Sequence, residues 1–139
     1  MRENRMLESE PVRVADLMAR KDGGAPEHLI GVEPGTPVRQ ALSVLTTSGV
    51  SQVPVLQDGD CVGSLSEGGL MARVIAQPEL LDRSVEAVME PPFPVVDEGQ
   101  EPRAIAPLLT RENPAVLVRR GGRIAGILTR YDMVRHLTR

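Results

Sequence analysis

The sequence predicts an α+β fold in which two β-α-β-β-α repeats pack about a pseudo-twofold axis. Two segments of a first copy, residues 14–18 and 63–66, recur in a second copy as 85–89 and 126–129. The chain has 139 residues, and one unit of about 60 residues buries too little surface to be stable alone. We assign residues 1–11 to a linker, 12–83 to the first copy and 84–139 to the second. Two equivalent clefts between the copies are the expected place for a small ligand.

The first copy begins with a short helix, whose apolar residues at helical spacing are Val14, Leu17 and Met18. A short strand over 29–32 follows, and Thr36 is predicted to cap the next helix, which Gly49 ends. Two strands over 52–56 and 61–66 form a hairpin around Asp58-Gly59. The closing helix is amphipathic, with an apolar face formed by Leu70, Met71, Val74 and Ile75.

The second copy repeats this order. Ser84 is predicted to cap a short helix that reaches Met89, and residues 94–96 form a strand. Pro107 is expected to kink or shorten the next helix, whose apolar stripe is Ala104, Ile105, Leu108 and Leu109. A hairpin over 115–118 and 124–128 turns at Gly121-Gly122, and the last helix spans 130–137. In this alignment, residues 53–56 correspond to 115–118.

Composition excludes several classes of function. The only aromatic residues are Phe93 and Tyr131, and the net charge is −3, which argues against nucleic-acid partners. Lys21 is the only lysine and lies in a turn-like stretch, which argues against a Schiff-base or P-loop lysine. One cysteine, Cys61, fits a reducing cytoplasm. No apolar run approaches the roughly 18 residues of a membrane span, so no membrane partner is expected.

Catalysis and metal binding have no support in the residue pattern. No Ser-His-Asp, Cys-His or paired-carboxylate set stands out, and the two histidines, His28 and His136, have no ligand partners at metal-binding spacing. Residues 119–139 hold six Arg against one Asp, whereas residues 82–101 hold six acids against one Arg. Solvated faces of opposite sign are the preferred interpretation of these runs. Arg130 is the exception, because it starts a helix beside Thr129.

The strand-to-helix junction of the second copy, residues 126–132, carries the clearest candidate chemistry. A helix N-terminus attracts phosphate, Thr129 can donate a hydrogen bond, and Asp132 can accept both hydroxyls of a ribose. These features suit an adenosine-type ligand. Thr-x-x-Asp also resembles a capping box, which needs no ligand, and the two interpretations are compatible. The first copy has Ser66 but Gly69 in place of the carboxylate, so its cleft is expected to be empty or weak.

The doubled unit, with its apolar hairpins ending in Gly-Ile-Leu-Thr-x-x-Asp, resembles a tandem CBS-domain pair, or Bateman module, over nearly the whole chain. The resemblance implies a non-catalytic regulatory module, a homodimer, and an adenosine-containing effector: S-adenosylmethionine, AMP or ATP. It assigns the better cleft to residues of both copies: Val50, Ser51, Gln52, Val53, Phe93, Ile127, Thr129, Arg130, Tyr131 and Asp132. Some S-adenosylmethionine-responsive relatives carry an acid where Ser51 stands.

A narrower resemblance points to bacterial cystathionine β-synthase. Four segments carry it, namely residues 1–8, 48–55, 88–96 and 112–116. It implies that residues 1–11 follow a catalytic domain that uses pyridoxal phosphate (PLP) to join serine and homocysteine, while this chain itself holds no cofactor. A dimerisation module with vestigial clefts is the alternative, supported by Gly69 and Ser51, each a lost acid.

Overall fold

The computed structural model describes residues 12–21 and 29–137. They divide into two compact units. One spans Ile30–Phe93, contains most of the first copy, and is called the first-copy unit. The other combines the described residues before Ile30 with those from Pro94 onward. We call it the second-copy unit.

The first-copy unit is a hairpin covered by helices. Helix α2 spans Val38–Ser48, strands β1 and β2 span Gln52–Gln57 and Asp60–Ser66, and helix α3 spans Glu67–Ala76. Two short 3-10 helices follow, at Pro78–Asp82 and Val85–Ala87. Gly49 ends α2 in the left-handed conformation, with φ +70°, and its N–H donates to the Leu45 carbonyl, as predicted.

The second-copy unit contains helix α1, Val14–Lys21, and a three-stranded sheet in the order β3-β4-β5. These strands span Val95–Asp97, Ala115–Arg120 and Arg123–Thr129. Helix α4 covers only Pro102–Ile105 before a 3-10 turn at Ala106–Leu108, because Pro107 cannot continue an α-helical ladder. Helix α5 spans Arg130–Leu137, the bounds that the sequence predicts.

The two hairpins have the same register. Gln52 pairs with Ser66 in one, and Ala115 pairs with Thr129 in the other. Residues of the two hairpins therefore correspond at a constant offset of 63, which makes the predicted alignment of 53–56 with 115–118 wrong by one residue. The correct counterparts of Val53 and Val55 are Val116 and Val118, and all four are buried. A one-residue slip would have turned these side chains to the opposite face.

The leading segment of each copy packs in the unit of the other copy. In the second-copy unit, the N–H groups of Val14 and Ala15 donate to the carbonyls of Gln100 and Glu98. In the first-copy unit, the N–H groups of Val85 and Glu86 donate to the carbonyls of Thr36 and Pro34. The buried residues follow the same exchange, since Val14 belongs to the second-copy core and Val85 to the first-copy core.

Three local predictions are wrong. Thr36 does not cap α2: the N-cap position is Pro37, and the Thr36 hydroxyl accepts from the Glu33 N–H instead. Ser84 makes no side-chain cap bond, and its segment is a three-residue 3-10 helix. The predicted strand over 29–32 reduces to one parallel bridge between Val32 and Val55. Pro34 contributes to this shortening, because it has no N–H to extend a ladder.

Most of the predicted apolar faces lie in the two cores, with exceptions on α3 and on the α4 stripe. Leu70 of α3 is buried, but Met71 and Ile75 are 48% and 75% exposed. In the second-copy unit, the α4 stripe keeps Ile105 buried and leaves Leu108 exposed, since the helix ends early. The α3 face that carries Met71 and Ile75 is therefore an apolar surface on the first-copy unit.

Candidate functional site

In both units the chain passes from the second hairpin strand directly into a helix. Glu67, the first residue of α3, donates its N–H to the Ser51 carbonyl at 2.9 Å. Arg130, the first residue of α5, donates its N–H to the Pro114 carbonyl at 3.1 Å. The start of each helix is thus hydrogen-bonded to the residue that directly precedes the first strand of its hairpin. We call these junctions the first-copy corner and the second-copy corner.

The second-copy corner is closed by reciprocal hydrogen bonds between Thr129 and Asp132. The Thr129 N–H and hydroxyl donate to Asp132 Oδ2 at 2.8 and 3.0 Å, respectively. The Asp132 N–H donates back to Thr129 Oγ1 at 3.3 Å. This pattern is a capping box, which satisfies two N–H groups that the helix itself leaves unpaired. The capping interpretation is confirmed, and it holds a hydroxyl and a carboxylate together at the positive end of α5.

The first-copy corner has only half of this arrangement. Ser66 Oγ accepts from the Gly69 N–H at 3.1 Å, and no carboxylate is present at Gly69 to bond in return. A Cβ atom at Gly69 would lie 2.7 Å from Ser66 Oγ, so the Ser66 hydroxyl fills the room that a side chain would need. A small cleft of about 10 Å³ lies beside these residues. It has room for about one water molecule, and its lining is Leu65, Ser66, Gly69, Leu70, Arg73, Val88 and Glu90.

Gln52 is the predicted site residue with an unusual local environment. It pairs with Ser66 in the β1–β2 hairpin, which places it at the first-copy corner. Its side-chain Oε1 is buried and has no hydrogen-bond partner among the described residues. A buried acceptor left unpaired costs about 1–3 kcal/mol. Gln52 therefore carries a buried acceptor that no described residue satisfies.

The other predicted site residues differ widely in exposure. Val53 and Phe93 are buried, so little of either side chain is open to a ligand, whereas Val50 and Ile127 are half-buried. Tyr131 is 67% exposed, and the Arg135 guanidinium lies 5.8 Å from the centre of its ring. This pair is a cation–π contact along the outer side of α5.

The structure brings the predicted site residues together in two groups. Ser51 and Gln52 lie at the first-copy corner, and Thr129, Arg130 and Asp132 lie at the second-copy corner. That both groups line one cleft stays a prediction. Sequence reasoning missed Pro114, whose carbonyl holds the start of α5. The constant offset of 63 identifies it as the counterpart of Ser51.

The oppositely charged sequence runs meet within the second-copy unit. Arg120 Nε lies 2.8 Å from Glu98 Oε1, which joins the basic run to the acidic one. Arg13 and Arg103 both approach Glu101, at 3.6 and 3.2 Å. These pairs are solvent-exposed in large part, and such pairs contribute about 0–1 kcal/mol each. Arg130 is exposed at the second-copy corner and belongs to none of the ion pairs described for residues 12–21 and 29–137.

The described part of the chain contains no group of three or more His, Cys, Asp or Glu side chains placed to hold a metal ion. Its helices are all too short or too polar to cross a membrane.

The chain thus contains two α+β units, each with a hairpin that runs directly into a helix. The CBS domain model matches residues 14–76 and 85–139, and the chain belongs to the CBS domain family. It is a tandem pair of CBS domains with the α+β fold that the sequence predicts.

Solved structures of similar proteins agree. A CBS-domain protein of Agrobacterium tumefaciens is 25% identical, with a TM-score of 0.76 over 91% of this chain and 99% of that chain. CBSX2 of Arabidopsis thaliana is 26% identical, with a TM-score of 0.71 over 93% of this chain and 96% of that chain. CBSX2 in complex with AMP is 27% identical, with a TM-score of 0.69 over 91% of this chain and 96% of that chain.

Proposed function

We propose that this chain is a non-catalytic regulatory module that binds an adenosine-containing ligand at the second-copy corner. The observation that carries the proposal is the Thr129–Asp132 pair, held by three hydrogen bonds at the N-terminus of α5. A carboxylate in this position accepts from ribose hydroxyls, and the helix start attracts a phosphate. The complex of the relative CBSX2 with AMP supports the same ligand class.

AMP is the first candidate among the three effectors. It is the ligand of CBSX2, and Arg130, exposed at the first position of α5, offers a cation to its phosphate. S-adenosylmethionine carries an ammonium group instead, which an acidic residue would recognise. The chain has Ser51 where some relatives have that acid, so this ligand has less support.

The remaining contacts are proposed on the family resemblance. Gln52 Oε1 is an acceptor for the amino group of adenine, because it is buried and lacks a protein partner in the described residues. Ser51 lies beside it, and the half-buried Val50 and Ile127 offer apolar surface to the base. Val53 and Phe93 have less support as ligand contacts, because both are buried. Tyr131 has the weakest support, because its exposed ring already packs with Arg135.

Calorimetric titration of the full chain with AMP, ATP and S-adenosylmethionine tests the proposal. We expect one AMP site per chain and weaker or absent heats for S-adenosylmethionine. Ligand at about 100 times its dissociation constant should raise the free energy of unfolding by about 2.7 kcal/mol. Arg103→Ala is the control variant, since its side chain is 89% exposed and belongs to neither corner, and it should bind AMP as the wild type does. Absence of binding by all three ligands would contradict the proposal.

A dimerisation module without a ligand is the second candidate. Asp132 already serves as a helix cap, and Met71 with Ile75 leaves an apolar face on α3. We propose that this face pairs with a second copy of the chain to form a homodimer. Ile75→Arg should weaken the dimer at least about tenfold, because one charge is then buried unpaired. Light scattering measures the molar mass of the wild type and of Ile75→Arg in solution. A monomeric wild type would contradict the homodimer.

The regulated enzyme is proposed on the narrower resemblance alone. We propose a cytoplasmic, PLP-dependent enzyme similar to cystathionine β-synthase, with its catalytic domain before residue 1. Bound AMP then changes its rate by stabilising one arrangement of the pair, which requires different affinity for two states. The test is serine–homocysteine condensation by such an enzyme joined to this chain, with and without AMP. Equal rates would contradict this part of the proposal without affecting ligand binding.

A further inference from the structure

Helix α1 opens the first copy in the sequence but belongs to the second-copy unit. Leu17 and Met18 are 4% and 2% exposed, and they share a core cluster with Leu128 and Met133. Leu128 lies on β5 and Met133 on α5, and α1 contacts both of these elements. The helix therefore covers the strand and the helix that meet at the second-copy corner.

The start of α1 is anchored to the turn after β3. Val14 and Ala15 donate their N–H groups to the carbonyls of Gln100 and Glu98 at 2.8 and 2.9 Å. The Arg13 guanidinium donates to the Gly99 carbonyl at 3.3 Å. Two N–H groups in the first turn of the helix are thus satisfied by the second-copy unit itself. Docking of α1 and order in this turn depend on each other.

The two residues that α1 covers flank the capping box in the sequence. Leu128 directly precedes Thr129, and Met133 directly follows Asp132. Because α5 has one rigid backbone, seating Met133 in the core also sets the position of the Asp132 carboxylate. Loss of α1 would expose Leu128 and Met133 and loosen the first turn of α5.

In the first-copy unit, the exchanged leading segment lies beside the corner itself. Val88 lies in the leading segment exchanged into that unit, and it lines the small cleft together with Ser66 and Gly69. The offset of 71 between the leading segments makes Leu17 the counterpart of Val88. This correspondence predicts that Leu17 lies beside Thr129 and Asp132, as Val88 lies beside Ser66 and Gly69.

We propose that α1 is a strap whose docking on the second-copy unit is coupled to occupancy of the second-copy corner. The ligand half of this inference rests on the proposed function; the coupling between α1 and the capping box does not. A ligand that fixes Thr129 and Asp132 favours the docked helix, and the docked helix raises the affinity for the ligand by the same factor. The leading helix of the first copy thereby reports on the ligand site of the second.

Hydrogen exchange of the full chain measures the coupling with AMP as the probe. Saturating AMP should slow exchange of the amides of Leu17 and Met18 by about tenfold, within the usual range of coupling between sites. Leu17→Ala should weaken AMP binding by about five- to tenfold. Val88→Ala is the matched comparison: it truncates a side chain of similar burial, 3% exposed, beside the first-copy corner and should lower AMP affinity less than Leu17→Ala does.

Two further arms keep the test decisive. Ala19→Gly, at an exposed position of α1, loosens the helix without removing a core contact and should weaken AMP binding about two- to fivefold.

In ligand-free protein, Asp132→Ala should speed exchange of the Leu17 amide several-fold, whereas Ser66→Ala should not. If AMP fails to bind the wild type, the proposed function fails and this ligand-free arm decides the coupling. Unchanged α1 exchange in Asp132→Ala, or equal loss of affinity in Leu17→Ala and Val88→Ala, would overturn it.

Discussion

The two corners use the same kind of helix cap and differ in whether a carboxylate returns the hydrogen bond. Both end a hairpin with a hydroxyl residue, Ser66 or Thr129, that accepts an N–H from three residues further on. Only the second-copy corner returns the bond, through Asp132. The first-copy corner thus caps its helix without a carboxylate. Helix capping alone therefore does not explain why the second copy has Asp132. This difference supports placing the ligand in the second-copy unit.

A second contrast concerns the helix before each hairpin. Helix α2 has 11 residues, whereas α4 has four and continues as a 3-10 turn. Proline at position 107 explains the difference, because no proline lies within α2 after its N-cap Pro37. The second-copy unit compensates with a longer parallel pairing, three residues of β3 against β4, where the first-copy unit has one bridge.

Removing the carboxylate that distinguishes the corners should have the largest effect. Asp132→Ala loses hydrogen bonds from an ionised acceptor to ligand hydroxyls, and AMP affinity should fall about 100-fold, or about 2.7 kcal/mol. Asp132→Asn keeps an oxygen that can cap α5, so its AMP affinity should fall less, by about tenfold. Calorimetry measures both variants. Wild-type affinity in Asp132→Ala would show that Asp132 serves only as a cap.

Packing around the first hairpin offers the next largest effect. A Cβ atom at Gly63 would lie 2.5 Å from Met89 Sδ and 3.1 Å from the Glu90 carbonyl oxygen. The Glu90 carbonyl also accepts the Ser64 N–H, so it cannot move freely. Gly63→Ala should lower the free energy of unfolding by about 2 kcal/mol, as overpacked cores do. A urea titration tests this, and an unchanged midpoint would contradict the tight approach.

The two caps themselves should differ in strength. Thr129→Ala breaks a reciprocal pair and should cost about 2 kcal/mol, whereas Ser66→Ala breaks one bond and should cost about 1 kcal/mol. The comparison uses urea unfolding of both variants in the same buffer without ligand. Equal costs would mean that the bond from the Thr129 hydroxyl to Asp132 adds no stability.

The smallest expected effect separates two neighbouring glycines in α3. Nothing lies within 4 Å of a Cβ at Gly68, so Gly68→Ala should stabilise the chain by about 0.5–1 kcal/mol through helix propensity. Gly69→Ala should gain less or nothing, because its Cβ meets Ser66 Oγ at 2.7 Å. Thermal unfolding of the pair tests the difference. A larger gain for Gly69→Ala would contradict the crowding at this corner.

Local chemistry explains the successful sequence predictions. Asp58-Gly59 and Gly121-Gly122 all have positive φ values, as tight hairpin turns require. The bounds of α5 follow from its capping box, which is written in four consecutive residues. The predicted caps Thr36 and Ser84 are wrong, because each residue type suits a turn as well as a helix start. Their neighbours in space decide between the two.

The sequence by itself determined the repeat, the hairpins and the Thr129–Asp132 motif, because these depend on residues close together in the chain. Only the tertiary structure decided that α1 packs with the second copy and that residues 85–88 pack with the first. Apolar spacing shows that a helix has a face to bury but not which core receives it. The same reason applies to Met71 and Ile75, whose apolar spacing predicts burial although the fold leaves them exposed.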